Sequence, residues 1–448
     1  MKTDLLTPVL SGGVKNTHYF NGRLLTAEAL KADQIANRQQ HDHLGQAVGT
    51  GIVNGLWVKE SGEKDKPFTV NIVPGLALNK KGQALSVAEP GIELQLDRTT
   101  PVEASSNGLF ASCEKQTRET TEKDNELYIY VLVMSSASGY EGQAPKHNIV
   151  GPNAQAGCGR RYAVEMVAFD LVPWDASKVA GLSAKSKKQL ADLTKKNDND
   201  PQRLSRLRNL LAHICFGTEA KTAFAINPFQ KQDQQSAFSQ YGGVDALGLT
   251  ACEIPLALVY LSKSGIRFVD NWAVRRRVTQ PTISNNWPLQ SGDRLRAEAE
   301  AVFFQFQEQI SEFIRKSPGS VLSMRAINFF RYLPPAGLLQ LNVGVMPGIR
   351  TATFFKEIPI PKKPYFLEGV QLNYLLQTAQ QFSSIDLDQD EGSNQDKGET
   401  QREAIMLYQV RENETASAPD YLIFTSGHLP FLGNGRFNIN RWNFFHFS

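Results

Sequence analysis

Between Ile52 and Leu96 the apolar residues come only in short runs: Ile52-Val53, Leu56-Trp-Val58, Phe68 to Val73, Leu76-Ala-Leu78, Ala84 to Val87 and Ile92 to Leu96. Turn formers break them, among them Pro74-Gly75 and Asn79-Lys-Lys-Gly82. Strands this short, with turn signals this frequent, read as a small antiparallel β unit. That pattern excludes a helical reading for the segment.

A helix is expected just upstream. Asn21-Gly22 is a strong turn dipeptide. Thr26 follows as a helix cap, because its hydroxyl can accept an early backbone N–H, and Glu28 suits the positive end of the helix dipole. The predicted helix covers 27–47. One face carries Leu30, Gln34, His41, Leu44 and Val48, with Ile35 beside it. A stripe only partly apolar fits a helix that packs against a copy or a neighbour, where polar seam residues set register. An ordinary surface helix on its own domain is the competing reading.

Further on, 126–134 and 162–172 read as longer strands, paired across the Gly/Pro-rich stretch 139–159. Asp200-Pro201 starts a helix whose Leu204, Leu207, Leu210, Leu211 and Ile214 share one face, and Gly217 ends it. Arg203, Arg206 and Arg208 lie off that face and are expected to be solvated. Glu253–Leu261 and Ile266–Val269 form a hairpin around a Ser262–Gly265 turn. A second long helix is expected over 293–316, then strands near 338–345, 352–359, 404–411 and 421–425, with a helix at 368–381. The fold class is therefore α+β, with several small antiparallel β modules and a few long helices in a multidomain chain. The expected division is a turn–helix–β module at 1–100, a mixed α/β middle at 101–318, a β-rich domain at 319–436 and an aromatic docking tail at 437–448.

Composition sets limits on function. Of 448 residues 41% are hydrophobic and 21% charged, a globular balance. The net charge of +3 is too even for a nucleic-acid binder that works by charge alone. Cys113, Cys158, Cys215 and Cys252 are too scattered for a dense disulfide framework or a zinc-type CxxC. Asp4, Thr7, Pro8 and Ser11 interrupt any signal-peptide core. No window holds the roughly 18 apolar residues of a spanning helix. Folding in the cytoplasm is expected, with any membrane attachment indirect.

Chemistry-bearing motifs are weak. Asp386, Asp388 and Asp390 imitate the opening of a calcium loop, but its sixth and twelfth positions hold Glu391 and Lys397 instead of glycine and glutamate. A solvated acidic loop is expected there. His41 and His43 are two apart on a helix and point away from each other. Ser426-Gly427-His428 and Gly157-Cys158-Gly159 lack the surroundings of a nucleophile elbow. No phosphate-cradling glycine loop follows a predicted strand. No catalytic residue, metal or cofactor is expected. The unusual feature is the C-terminus, where Phe437, Trp442, Phe444, Phe445 and Phe447 fall within the last twelve residues. Left in water these rings would cost about 1.5–3 kcal/mol each, so docking onto the chain's own domain or a neighbouring subunit is expected.

The segment His18-Tyr-Phe-Asn-Gly-Arg-Leu-Leu-Thr-Ala27, followed by a polar helix, resembles the opening of structural proteins from baseplates and tail tips of phage-tail-like contractile injection systems. Gly51-Ile-Val-Asn-Gly-Leu-Trp-Val58 and Val73-Pro-Gly-Leu-Ala-Leu-Asn79 are similar to a small β domain in that group. Ile254-Pro-Leu-Ala-Leu-Val259, Phe268-Val-Asp-Asn-Trp-Ala-Val-Arg-Arg276 and Arg331-Tyr-Leu-Pro-Pro-Ala-Gly337 also look similar to proteins of these systems. The chain departs from the pattern at Ala29, where a second acidic residue is usual, and in its aromatic tail. The resemblance implies a structural role without catalysis, multiple copies in a symmetric assembly, and other baseplate or tail subunits as partners. The expected contact residues are Tyr19, Phe20, Arg23, Leu30, Gln34 and His41, with the tail aromatics Phe437, Trp442, Phe444, Phe445 and Phe447. Two alternatives are a receptor- or surface-binding module, in which Trp57, Trp174 or Trp287 would line a shallow pocket, and a particle-borne hydrolase.

Overall fold

The computed structural model describes residues 14–63, 66–96, 110–112, 127–146, 157–175, 179, 182–195, 200–218, 242–262, 264–278, 287–343, 346–388, 405–413, 420–427, 429, 431–432 and 436–437. The chain has a mixed α+β fold with several small antiparallel sheets.

The N-terminal helix α1 spans Ala27–Val48, capped by Thr26 as expected. The short strands follow: β1 (Gly51–Gly55), β2 (Val58–Glu60), β3 (Thr69–Ile72), β4 (Gly75–Leu78), β5 (Ala84–Val87) and β6 (Ile92–Gln95). They form two three-stranded sheets, ordered β1-β4-β5 and β2-β3-β6, with every pairing antiparallel. Next come β7 (Phe110–Ser112), β8 (Leu127–Lys146) and β9 (Gly157–Pro173). The last two pair antiparallel from Tyr130↔Pro173 out to Lys146↔Gly157, so both extend past the expected ends into the Gly/Pro-rich stretch. Helices α2 (Ala184–Lys195) and α3 (Pro201–Phe216) precede the hairpin β10 (Glu253–Ser262) and β11 (Gly265–Asp270). The large sheet runs β11-β10-β8-β7, with β9 on the other edge of β8. Pro255 fits inside β10 because it sits at a register shift and beyond the last pair with β11.

Side-chain alternation assigns the two faces of this sheet. Leu132, Met134, Ile254, Val259 and Leu261 join Ile52, Leu56, Val58, Val70 and Ile72 in one core with the small sheets. Val131, Val133, Leu258 and Tyr260 face the other way onto Leu207, Leu210, Leu211 and Ile214 of α3. With both faces covered, β10 is buried along almost its whole length. The 51–58 and 268–276 segments meet here. Ile52 N–H donates to Arg276 O at 2.8 Å, and Val278 N–H donates to Ile52 O at 3.2 Å. Asn271 exchanges two 2.9 Å bonds with the backbone of Val58, while Arg275 donates to Leu56 O at 2.9 Å.

The long helix α4, Trp287–Lys316, is followed by a four-stranded sheet. Its order is Ala336–Gln340, Tyr421–Ser426, Ile405–Val410 and Tyr365–Leu367, the last pair parallel. Phe306, Ile310 and Ile314 of α4 enter a core with Phe330, Leu339, Phe354, Phe355 and Phe424. A helix at Gly369–Ala379 covers the opposite face of that sheet through Leu375 and Ala379. Gly337 is required because a Cβ there would lie 2.4 Å from the Phe424 ring. The strand expected near 352–359 opens instead on one helical turn, Thr351–Phe354. That turn places Phe354 and Phe355 side by side, edge to face at 5.0 Å, in the same core.

A second expectation fails at α3. Arg203 and Arg208 are buried, and Arg206 is mostly so. This helix is covered by the sheet, α2, α4 and the 326–332 segment, which leaves its polar side little water to face. Arg208 pairs with Asp270 at 2.8 Å, with Glu308 at 3.1 Å and with Glu312 at 3.5 Å. Gln305 donates to the same Asp270 oxygen at 2.5 Å. Burial opposes the charge on Arg208, but Asp270, Glu308 and Glu312 outweigh it and hold the guanidinium more firmly protonated than usual. Arg206 pairs with Asp388 at 2.5 Å, so the described start of the acidic 385–402 stretch is an internal anchor rather than a solvated loop. Asn209 accepts from Arg331 N–H and Tyr332 N–H and donates to Tyr332 O, all at 2.9–3.0 Å. Cys215 is a buried free thiol pushed up to about 12 by burial, and Cys252 is disulfide-bonded.

Candidate interaction surface

The turn before α1 is closed by its own residues. Gly22 takes φ +88°, which glycine adopts without the Cβ penalty, and Arg23 N–H donates to Phe20 O at 3.2 Å. The Arg23 guanidinium donates to His18 O and lies 5.9 Å from the Phe20 ring centroid. Thr26 Oγ1 then accepts from Ala29 N–H at 3.2 Å, and Thr17 Oγ1 donates to Ala29 O at 2.8 Å. These bonds fix where the helix begins and the angle at which the preceding chain leaves it.

Small residues seat α1 on the body. Ala29, Ala36 and Gly45 are its buried positions. A Cβ on Gly45 would lie 2.0 Å from Gly82 O, so helix and β4–β5 turn touch backbone to backbone. Gln46 Nε2 donates to Lys81 O at 3.0 Å beside that contact. Arg38 pairs with Glu165 of β9, and both side chains are more than half exposed.

The large apolar residues of this region do the opposite. Leu24 is 81% exposed and Leu44 65%, and Phe20, Leu25 and Val48 are each more than half exposed. Tyr19, Leu30 and Ile35 lie just under half. A soluble chain rarely leaves a contiguous apolar patch of more than a few hundred Å² without a function for it. Tyr19, Phe20 and Arg23 of the turn and Leu30, Gln34 and His41 of the helix are all exposed. Leu24 and Leu25 were not singled out from sequence, although an apolar pair directly before a capping Thr was the available signal. Phe437 lies in a two-residue strand, Arg436–Phe437, paired with Phe431–Leu432. Trp442, Phe444, Phe445 and Phe447 lie outside the described residues, as does the Trp287 side chain.

A second aromatic feature stands apart from this helix. Trp57 and Trp272 lie 5.1 Å apart, Trp272 stacks on Phe304 at 5.0 Å, and Arg275 sits 4.0 Å over Trp57. Trp272 Nε1 donates to Glu308 at 2.6 Å. Burial, with Arg277 adding to it, brings the Arg275 guanidinium down to about 10. Trp174, the other ring named from sequence, packs against the α3 core. Among the described residues no group of three or more His, Cys, Asp or Glu is placed to hold a metal ion, and no helix is long and apolar enough to cross a membrane.

No protein-family model and no curated protein matches the chain. Among solved structures it is similar to a chain of the type VI secretion system TssK-TssF-TssG baseplate subcomplex, at 10% identity and TM-score 0.21, over 64% of this chain and 99% of that one. It is also similar to TssK, at 9% identity and TM-score 0.20, over 92% of each chain.

Proposed function

We propose that the chain is a structural subunit of a phage-tail-like contractile injection particle, at or near its baseplate, joined to neighbouring subunits through the Tyr19–Thr26 turn and α1. The observation that carries this reading is the inverted seating of α1, with alanines and glycine against the body and leucines in water. A monomer gains nothing from that arrangement; a subunit with a partner does. The resemblance of His18–Ala27 to baseplate proteins supports the same role. The aromatic tail would add a second contact with a neighbour. Particles made without the chain should fail to assemble or to contract productively, as seen by electron microscopy and an injection assay. Normal particles and normal injection would refute the reading.

A surface-binding module is the second reading, favoured by the Trp57–Trp272–Phe304 row under Arg275. It requires the isolated protein to bind glycan or lipid directly, and Trp272→Ala to abolish that binding.

A further inference from the structure

We infer that α1 pairs with the same helix of a second copy of this chain, parallel and in register. Leu30, Gln34, Asn37, His41, Leu44 and Val48 recur at steps of four and three, the spacing of a coiled-coil seam. All six are exposed, so nothing within the described chain covers the seam. The large apolar positions of the seam stand well out in water, Leu30 at 46% exposure, Leu44 at 65% and Val48 at 52%.

Layer matching and charge choose the occupant and its direction. In parallel register each layer meets its own kind, with leucine or valine at the ends and amides and histidine in the middle. Polar middle layers of this sort fix register at some cost in stability. The flanking positions then set Asp33 of one copy against Arg38 of the other, an attractive pair; the Arg38–Glu165 pair with which it competes is more than half exposed on both sides and worth little. In the antiparallel arrangement Gln34 would face Leu44, and Arg38 would lie beside its own copy. Gly45 seats the C-terminal part of the helix on its own body at Gly82, while Leu30, Leu44 and Val48 stay exposed.

The inference deepens the assembly reading and rests on the same surface, but its test needs no particle. The purified full-length chain is examined by sedimentation, and Leu30→Cys and Leu44→Cys are treated separately with a mild disulfide-forming oxidant beside the wild type as control for native cysteines. Expected are a multimer for the wild type, self-cross-linking of each single variant beyond that of the control, and a fall to the mass of one chain for Leu44→Asp with an unchanged thermal transition. Val370→Asp, at an exposed position elsewhere, should leave the mass of the wild type. A monomeric wild type overturns the inference, as does cross-linking seen only when the two cysteine variants are mixed, which marks antiparallel pairing. A monomeric chain that particles nevertheless need would sink this inference and leave the assembly reading standing.

Discussion

In α1 the buried residues are alanine and glycine, and leucines face water. In α3 the leucines are buried as usual, but arginine and asparagine are buried with them. Both helices carry caps that sequence rules locate, Thr26 for one and Asp200 with Pro201 and Gly217 for the other. They differ in what surrounds them. α3 is buried from Leu207 to Phe216, so the polar groups there must find partners inside the protein. α1 meets the body backbone to backbone at Gly45 and Gly82, and its large apolar side chains face water. Burial therefore follows from what packs around a helix, and residue type alone does not predict it.

The largest expected effect breaks the enclosed side of this contrast. Arg208→Met leaves Asp270 buried without its cation and should cost about 3–5 kcal/mol in chemical denaturation. A loss under about 1 kcal/mol would mean that α3 is far more hydrated than its burial indicates. Next, Gly45→Val forces a side chain into the Gly82 backbone and should cost about 1–3 kcal/mol. Faster hydrogen exchange should be confined to α1 and the 79–82 turn; spread into α3 would join the two regions energetically.

Acid supplies a third handle. Burial works to raise the Asp388 carboxyl, but the hydrogen bond and charge of Arg206 hold it below the ordinary value. A carboxylate with a depressed folded pKa contributes stability that is present above its unfolded value near 4 and is lost as pH falls through the folded one. Asp388→Asn should flatten that acid limb and cost about 1–2 kcal/mol at neutral pH. Asp386 works the other way, since burial raises it, so an Asp386→Asn variant should retain the limb. The smallest effect tests the open side. Leu24→Ser should change monomer stability by no more than about 0.5 kcal/mol in either direction, and a larger loss would show that Leu24 is core.

Much of the local structure was legible because its causes are local. The Asn21-Gly22 turn, the Thr26 cap, the short strands of 51–96, the β10–β11 hairpin and the α3 termini each depend on a few neighbouring residues. The errors have nonlocal causes. Thr351–Phe354 looks extended by composition, but packing needs Phe354 and Phe355 adjacent in one core. Arg206 and Asp388 each look solvated when read alone, and they are 182 residues apart in sequence and 2.5 Å apart in space. The candidate surface was half legible. The stripe on α1 was visible as a pattern, but periodicity gives the same signal for a face turned inward and one turned outward.

The sequence by itself determined where chain direction and period change, because turns, caps and alternation are decided by steric and hydrogen-bonding terms within a few residues. It determined, through Gly45 and Gly82, that two backbones could meet. Only the tertiary structure decided that they do meet, since that contact joins elements distant along the chain. The close approach seats α1 by its small residues and leaves Leu30, Leu44 and Val48 in water. Which side of a helix is free is a property of everything packed around it.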